Sequence, residues 1–178
     1  MRFPFLHWSA AALLGFAVPV LHPGPTPPLD DPTIVAIFDA ANTYDIEAAQ
    51  LALKKSHTEA VRSLAHQFAT DHRNLRQQGR DLARKLGVKP TPPADFALAK
   101  EHAEAMRTLQ GKSGADFDRA YAEHEVKFHQ AVIDAVTNTL LPAVSNAELK
   151  AFVQKTAPAF QGHLAMAKQL ASRLGAST

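Results

Sequence analysis

The sequence predicts an all-α fold: a four-helix bundle with a short extra helix in its crossover. Three observations carry this. Ala, Leu, Lys, Glu, Gln and Arg dominate the chain, and no stretch alternates apolar and polar residues as a half-buried strand would. Four stretches of more than twenty residues repeat apolar side chains at helical spacing. Of 12 prolines, seven lie at or before Pro32 and the other five are Pro90, Pro92, Pro93, Pro142 and Pro158, so long proline-free runs remain.

The N-terminus reads as an export signal. Arg2 supplies a positive n-region, and an apolar run starts at Trp8–Leu14 and continues to Leu21. Gly15-Phe16-Ala17 places small residues at the two positions a signal peptidase reads. Residues 1–17 are expected to be a signal peptide cleaved before Val18, and the protein to be periplasmic or secreted. Pro19 breaks the apolar run, which falls short of the ~20 residues that span a bilayer. A retained anchor is the alternative. Residues 18–31, with Pro23-Gly24-Pro25-Thr26-Pro27-Pro28, read as a stiff extended linker. The bundle domain is expected over residues 32–176.

The helices follow in order. The first runs from about Pro32 to Lys55, with Asp31 as its N-cap. Ile34, Ile37, Phe38, Ala41, Asp45, Ala48 and Ala52 share its inward stripe. The second runs from about Thr58 to Leu86, carries Val61, Leu64, Phe68, Leu75 and Leu82 inward, and stops at Gly87. A short helix lies near Ala94 to Leu109, after the proline loop. The next runs from Gly114 to about Thr139, with Phe117, Tyr121, Phe128, Val132 and Val136 inward. Ser145 or Asn146 caps the last, which ends near Leu174 and should kink at Pro158. Short turns make two antiparallel hairpins, and the stretch from Gly87 to Gly114 is long enough to cross between them. That is the connectivity of ferritin-like bundles; a plain up-down bundle with a side helix is the alternative.

Polar residues occupy these stripes. Asp45 falls at the centre of the first. Asp71 and His72 border the second, His72 lying four after Phe68. On the fourth helix Glu125 lies four after Tyr121, and His129 follows it by one turn. His124 lies on the other edge of that face. His163 is inward on the last helix, three after Phe160. Glu47 points the other way, and His57, His66 and His102 read as surface or boundary residues. A buried ionisable group costs several kcal/mol unless it is paired or bound to a metal. Imidazole with carboxylate suits Zn, Fe, Mn or Cu without thiolates. Asp45, Asp71, His72, His124, Glu125, His129 and His163 are therefore the candidate metal ligands, or groups that orient ligands. A hydrogen-bonded network that fixes helix register needs the same residues and stays open as the alternative.

Other chemistries are excluded more firmly. The 178 residues contain no cysteine, which removes disulfides, thiolate sites and cysteine nucleophiles. Lys+Arg number 19 against 17 Asp+Glu, and loss of Arg2 with the signal lowers the net charge of +2 by one. That balance, with 7% aromatic residues, does not suit a nucleic-acid surface. No Gly-rich phosphate loop and no G-x-S-x-G elbow is present. The Glu-x-x-His element of di-iron bundles is missing too. Of nine histidines, four lie on or beside inward stripes.

Several of these residues sit in recognisable motifs. Asp45-Ile46-Glu47-Ala48-Ala49-Gln50-Leu51-Ala52, Phe68-Ala69-Thr70-Asp71-His72, Gly114-Ala115-Asp116-Phe117-Asp118-Arg119-Ala120-Tyr121 and Ala157-Pro158-Ala159-Phe160-Gln161-Gly162-His163-Leu164 together resemble the DUF4142 family. The resemblance extends from Asp31 to Leu174, with His129 matching a further family histidine. Asp45 stands where most members have Glu, and Phe68 where Met is usual. The resemblance implies an exported ferritin-like bundle and brings no activity with it. The expectation is a protein that binds a transition metal between its helices, with no nucleic-acid partner and no membrane span in the mature chain. A non-enzymatic envelope stress or interaction module, with a purely structural His/Asp network, is the other reading. N-terminal sequencing of the exported protein is expected to begin at Val18; a retained Met1 would establish the anchor instead.

Overall fold

The computed structural model describes residues 29–176; the expected signal segment, and the linker before Leu29, lie outside the described residues. Among the described residues six α-helical segments and one π-helical turn follow one another: α1 (Asp31–Lys55), α2 (Glu59–Leu86), α3 (Ala97–Gln110), α4 (Gly114–Ala135), then the π-helical turn (Val136–Leu140) leading into α5 (Leu141–Ala143), and α6 (Ala147–Leu174). No strand occurs among the described residues. The fold is an all-α bundle, as the periodicity predicts.

The termini of α1 correct one detail. Asp30, not Asp31, caps the helix, its carboxylate accepting the Thr33 N–H at 2.9 Å. Asp31 is thereby free to bond across the bundle. It accepts the N–H groups of Ser145 and Asn146, each at 2.9 Å, and the Ser145 hydroxyl at 2.6 Å. The starts of α1 and α6 are thus held at the same end of the bundle. At the other end, the Lys55 ammonium donates to the carbonyls of Leu109 and Gln110, and the Thr58 hydroxyl donates to Asp118. Those links place the start of α4 beside the α1–α2 turn. The chain from Gly87 to Ser113, carrying α3, therefore travels the length of the bundle, as the predicted crossover requires. Neighbouring helices run antiparallel and diagonal ones parallel.

Gly87 closes α2 in the left-handed region at φ 67°, and its N–H reaches the Ala83 and Arg84 carbonyls. Periodicity predicts that the fourth helix stays regular to Thr139; it widens after Ala135 instead. Leu141 N–H bonds to the carbonyl of Val136, five residues back. Pro142 explains the change, because a proline has no N–H to donate and its ring crowds the carbonyl four residues earlier. The helix α6 continues through Pro158.

The apolar interior comes in two blocks. One contains Ala48, Ala52, Val61, Phe68, Phe117, Tyr121 and Leu170. The other contains Ile34, Phe38, Val132, Val136, Leu149, Val153 and Phe160. On α1, α4 and α6 the polar residues fall between the two blocks, and His72 does so on α2. Phe38 anchors the second block, edge-on to Phe152 at 5.2 Å and to Phe160 at 6.3 Å between centroids. It lies against Gly79, where an added Cβ would come within 2.9 Å of the ring. Gly79→Val is expected to destabilise the protein by ~1–3 kcal/mol through overpacking, despite the better helix former. Urea denaturation measures this, and an unchanged midpoint would show that the ring moves aside freely.

Candidate metal centre

Four helices meet at the polar layer. Asp45, Glu125 and His129 are each 0% exposed, His72 is 1% and His163 is 3% exposed. The register of each stripe puts them there. Asp45 follows Ala41 by one turn, His72 follows Phe68, His129 precedes Val132 by three, and His163 follows Phe160 by three.

Hydrogen bonds fix each imidazole. Asn42 donates its Nδ2 to the Phe38 carbonyl at 2.8 Å, which turns its Oδ1 toward His72 Nδ1 at 2.9 Å. That oxygen only accepts, so His72 carries its proton on Nδ1. His129 Nδ1 lies 3.0 Å from the Glu125 main-chain carbonyl, another pure acceptor. His163 Nε2 lies 3.1 Å from the Asp71 carboxylate and donates to it. In each neutral ring the remaining nitrogen bears a lone pair. These three nitrogens converge: His163 Nδ1 is 3.0 Å and His129 Nε2 3.4 Å from His72 Nε2. The Asp45 carboxylate stands beside them, 3.4 Å from His72 Nε2 and 3.5 Å from His129 Nε2.

The result is three imidazole lone pairs facing one another beside the buried carboxyl group of Asp45. Lone pairs at such distances repel unless a cation sits among them. Four ligands around an ion at ~2.0–2.1 Å define a tetrahedron with edges of about 3.3–3.4 Å. His72 Nε2 lies 3.0, 3.4 and 3.4 Å from His163, His129 and Asp45 Oδ1, close to that length, while His129 meets the other Asp45 oxygen at 3.5 Å; the three imidazoles form one compact donor set, and Asp45, Glu125 and His129 a second that shares His129. Neither oxygen of Asp45 has a hydrogen-bond partner, nor does either oxygen of Glu125 or the Tyr121 hydroxyl. The donor set therefore fits a first-row transition metal. Phe68 closes one side, its ring centroid 4.5 Å from His163 and 5.0 Å from His129.

Electrostatics agree with neutral imidazoles. Burial, then the neighbouring His129 and His163, holds His72 well below the usual imidazole range. Burial also lowers His129, against the pull of Asp45, and lowers His163, against the pull of Asp71. Burial and the adjacent Glu125 raise Asp45 well above an ordinary carboxylate. Burial lifts Glu125 to about 8.

Five of the seven residues singled out from the sequence meet at this layer: Asp45, His72, Glu125, His129 and His163. Asp71 stands at its rim. His124 does not join them. One residue before Glu125, it is turned some 100° around the helix, packs on Phe128 at 5.7 Å, and shares a cavity of about 260 Å³ with His102. Burial pushes its pKa down to about 4. The structure adds two residues that the sequence does not single out. Asn42 lies on the same stripe, four after Phe38, so the periodicity contains it. His102 is buried, not peripheral: it stacks on Tyr44 at 4.2 Å and pairs with Glu47 at 2.8 Å. Only the packing of α3 on α1 creates that environment.

A four-helix bundle with a long crossover and a buried imidazole–carboxylate layer defines the class of this protein. Its sequence matches the DUF4142 family, a domain of unknown function, over residues 19–170, and the chain belongs to that family. No protein of curated function matches it. Two solved structures share the fold. One is described as CopM in the Cu(II)-bound form, with 16% identity, a TM-score of 0.62, and coverage of 82% of this chain and 98% of that one. The other is a DUF305 fragment from Deinococcus radiodurans, with 18% identity, a TM-score of 0.68, and coverage of 83% and 99%.

In the metal-free protein, folded Glu125 keeps its proton between its ordinary 4.5 and about 8, where the unfolded chain has lost it. Folded-state stability must then fall as pH rises through that window. E125Q cannot ionise and escapes the fall. Its stability relative to the wild type should climb from about pH 5 to about pH 8 in urea denaturation after chelation. A flat difference would mean that Glu125 is ionised in the fold.

Proposed function

We propose that this is an exported metal-binding protein that holds one transition-metal ion through His72 Nε2, His129 Nε2, His163 Nδ1 and the Asp45 carboxylate. The observation that carries the reading is the convergence of three unprotonated nitrogens, each with its other nitrogen committed to an acceptor. Asn42, the Glu125 carbonyl and Asp71 orient the rings, as outer groups do in histidine metal sites. Burial holds Asp45 and Glu125 toward their protonated forms in the metal-free fold, and a divalent ion that displaced those protons would be matched by their two negative charges. Three imidazoles with one carboxylate favour Cu(II) or Zn(II) over Mn(II). The likeness to a bundle whose Cu(II)-bound form is known supports this choice. Export rests on Arg2, the apolar run to Leu21 and Gly15-Phe16-Ala17; among the described residues no helix is long and apolar enough to cross a membrane.

The same hydrogen bonds also tie α1 to α2 and α2 to α6, so a structural network remains the competing reading. Elemental analysis separates the two. After reconstitution with Cu(II) or Zn(II), the full chain should carry one ion, and the His72→Ala/His163→Ala double variant none. Asn42→Ala should keep one ion per chain but bind it about 10–100-fold more weakly. Sub-stoichiometric metal with Cu(II), Zn(II), Fe(II) and Mn(II) alike would leave only the structural network.

A further inference from the structure

The centre is enclosed, yet an ion must reach it. Asp45, Glu125, His129 and Asn42 are each 0% exposed, and His72 has 1% of its surface exposed. Among the described residues, one hydrogen bond leads from an imidazole of the centre to a side chain with substantial solvent access. It joins His163 Nε2 to Asp71, whose side chain is 40% exposed. This pair bridges the seam between α2 and α6. Gln67 lies one turn before Asp71, and Met166 lies three residues after His163. Both line a surface cleft of about 230 Å³ with Leu64, Gln169 and Arg173, further along the same seam from the Asp71–His163 pair.

Among the described residues, the other seams bring no solvent-accessible acid into bonding contact with an imidazole of the centre. On the α1–α2 side stands buried Asn42, bonded to both helices. Over α1 and α4 lies α3, where His102 packs on Tyr44, and the largely apolar cavity of about 290 Å³ beside it, lined by Phe38, Val132 and Phe160 with Glu101, offers a cation little in exchange for its water. Between α4 and α6, Phe160 and Ile133 belong to one apolar block. The seam where a solvent-accessible acid is bonded directly to an imidazole of the centre is the one between α2 and α6.

We propose that metal enters and leaves through this seam, with Asp71 as its capture group and His163 as the gate. The inference rests on the metal-centre reading above. A half-exposed carboxylate draws a divalent cation from solution and replaces part of its water shell. The ion then passes the His163 ring to reach the three lone pairs, and the Nε2–H bond to Asp71 closes behind it. No proton leaves the imidazole in this passage. Asp71 therefore acts twice, setting the tautomer of His163 and the rate of ion capture.

Substitution separates these two roles. Asp71→Asn keeps an acceptor oxygen for His163 Nε2 but removes the charge. Gln67→Lys leaves every group of the centre untouched and adds a positive charge at the mouth. Asp134→Asn removes an equal charge from exposed α4 surface as a control. Stopped-flow absorbance of Co(II) uptake by the full chain, at several salt concentrations, gives the association rate. Asp71→Asn and Gln67→Lys should each slow association about three- to tenfold and flatten its salt dependence, while Asp134→Asn changes neither. Wild-type rates and salt dependence in both seam variants would overturn the port. A wild type that takes up no Co(II), Cu(II) or Zn(II) would overturn the metal centre itself, and the port with it.

Discussion

The interior of this protein depends on the direction in which three protons point. Asn42, the Glu125 carbonyl and Asp71 each take the N–H of one imidazole, and the three remaining nitrogens turn toward one another. The acceptors come from α1, α4 and α2, and the rings from α2, α4 and α6. A small rotation of α1, α2 or α6 would break an orienting bond and leave a buried polar atom unpaired, which costs about 1–3 kcal/mol. The polar layer thus constrains the register of the whole bundle, whether or not an ion is bound.

The rest of the structure is arranged around that layer. Apolar blocks lie on both sides of it, so the charged groups sit in a low-dielectric sleeve. Alanines at 48, 49, 52, 65, 69, 122 and 167 are 0–1% exposed and let the helices approach closely on one side. On the other side, large rings fill the space: Phe38, Phe152 and Phe160 pack edge to face. The crossover helix α3 adds a cover over α1 and α4 and buries His102 there, paired with the half-exposed Glu47 of α1.

Much of this is legible in the sequence, because period and punctuation are local. Gly87, Gly114 and Asn146 mark helix ends, and a 3.6-residue repeat brings Asp45, His72, Glu125, His129 and His163 inward on four helices. The rest is not legible there, for physical reasons. Asp30 and Asp31 are both competent caps, and what separates them is a bond to Ser145 and Asn146, 114 and 115 residues away. The π-helical turn is a response to Pro142 that periodicity extends straight through. His124 lies on the edge of a stripe, and a helix edge becomes inside or outside only when a neighbour covers it. His102 belongs to a crossover whose docking face no local pattern sets. Asn42 is on the stripe, yet an amide reads as ordinary polarity until its partner, 30 residues on, is known.

The two hairpins divide the centre evenly. Asp45 and His72 belong to the first, His129 and His163 to the second. Neither half can assemble the ligand set alone, and each would expose its polar groups to water until the other arrived. An ion held by all four would join the hairpins as a reversible staple, closing a loop of some sixty residues between His72 and His129. Cross-linking of that kind restricts the unfolded chain much as a disulfide does. In a protein with no cysteine, the availability of metal would then govern the persistence of the folded state as well as the occupancy of a site.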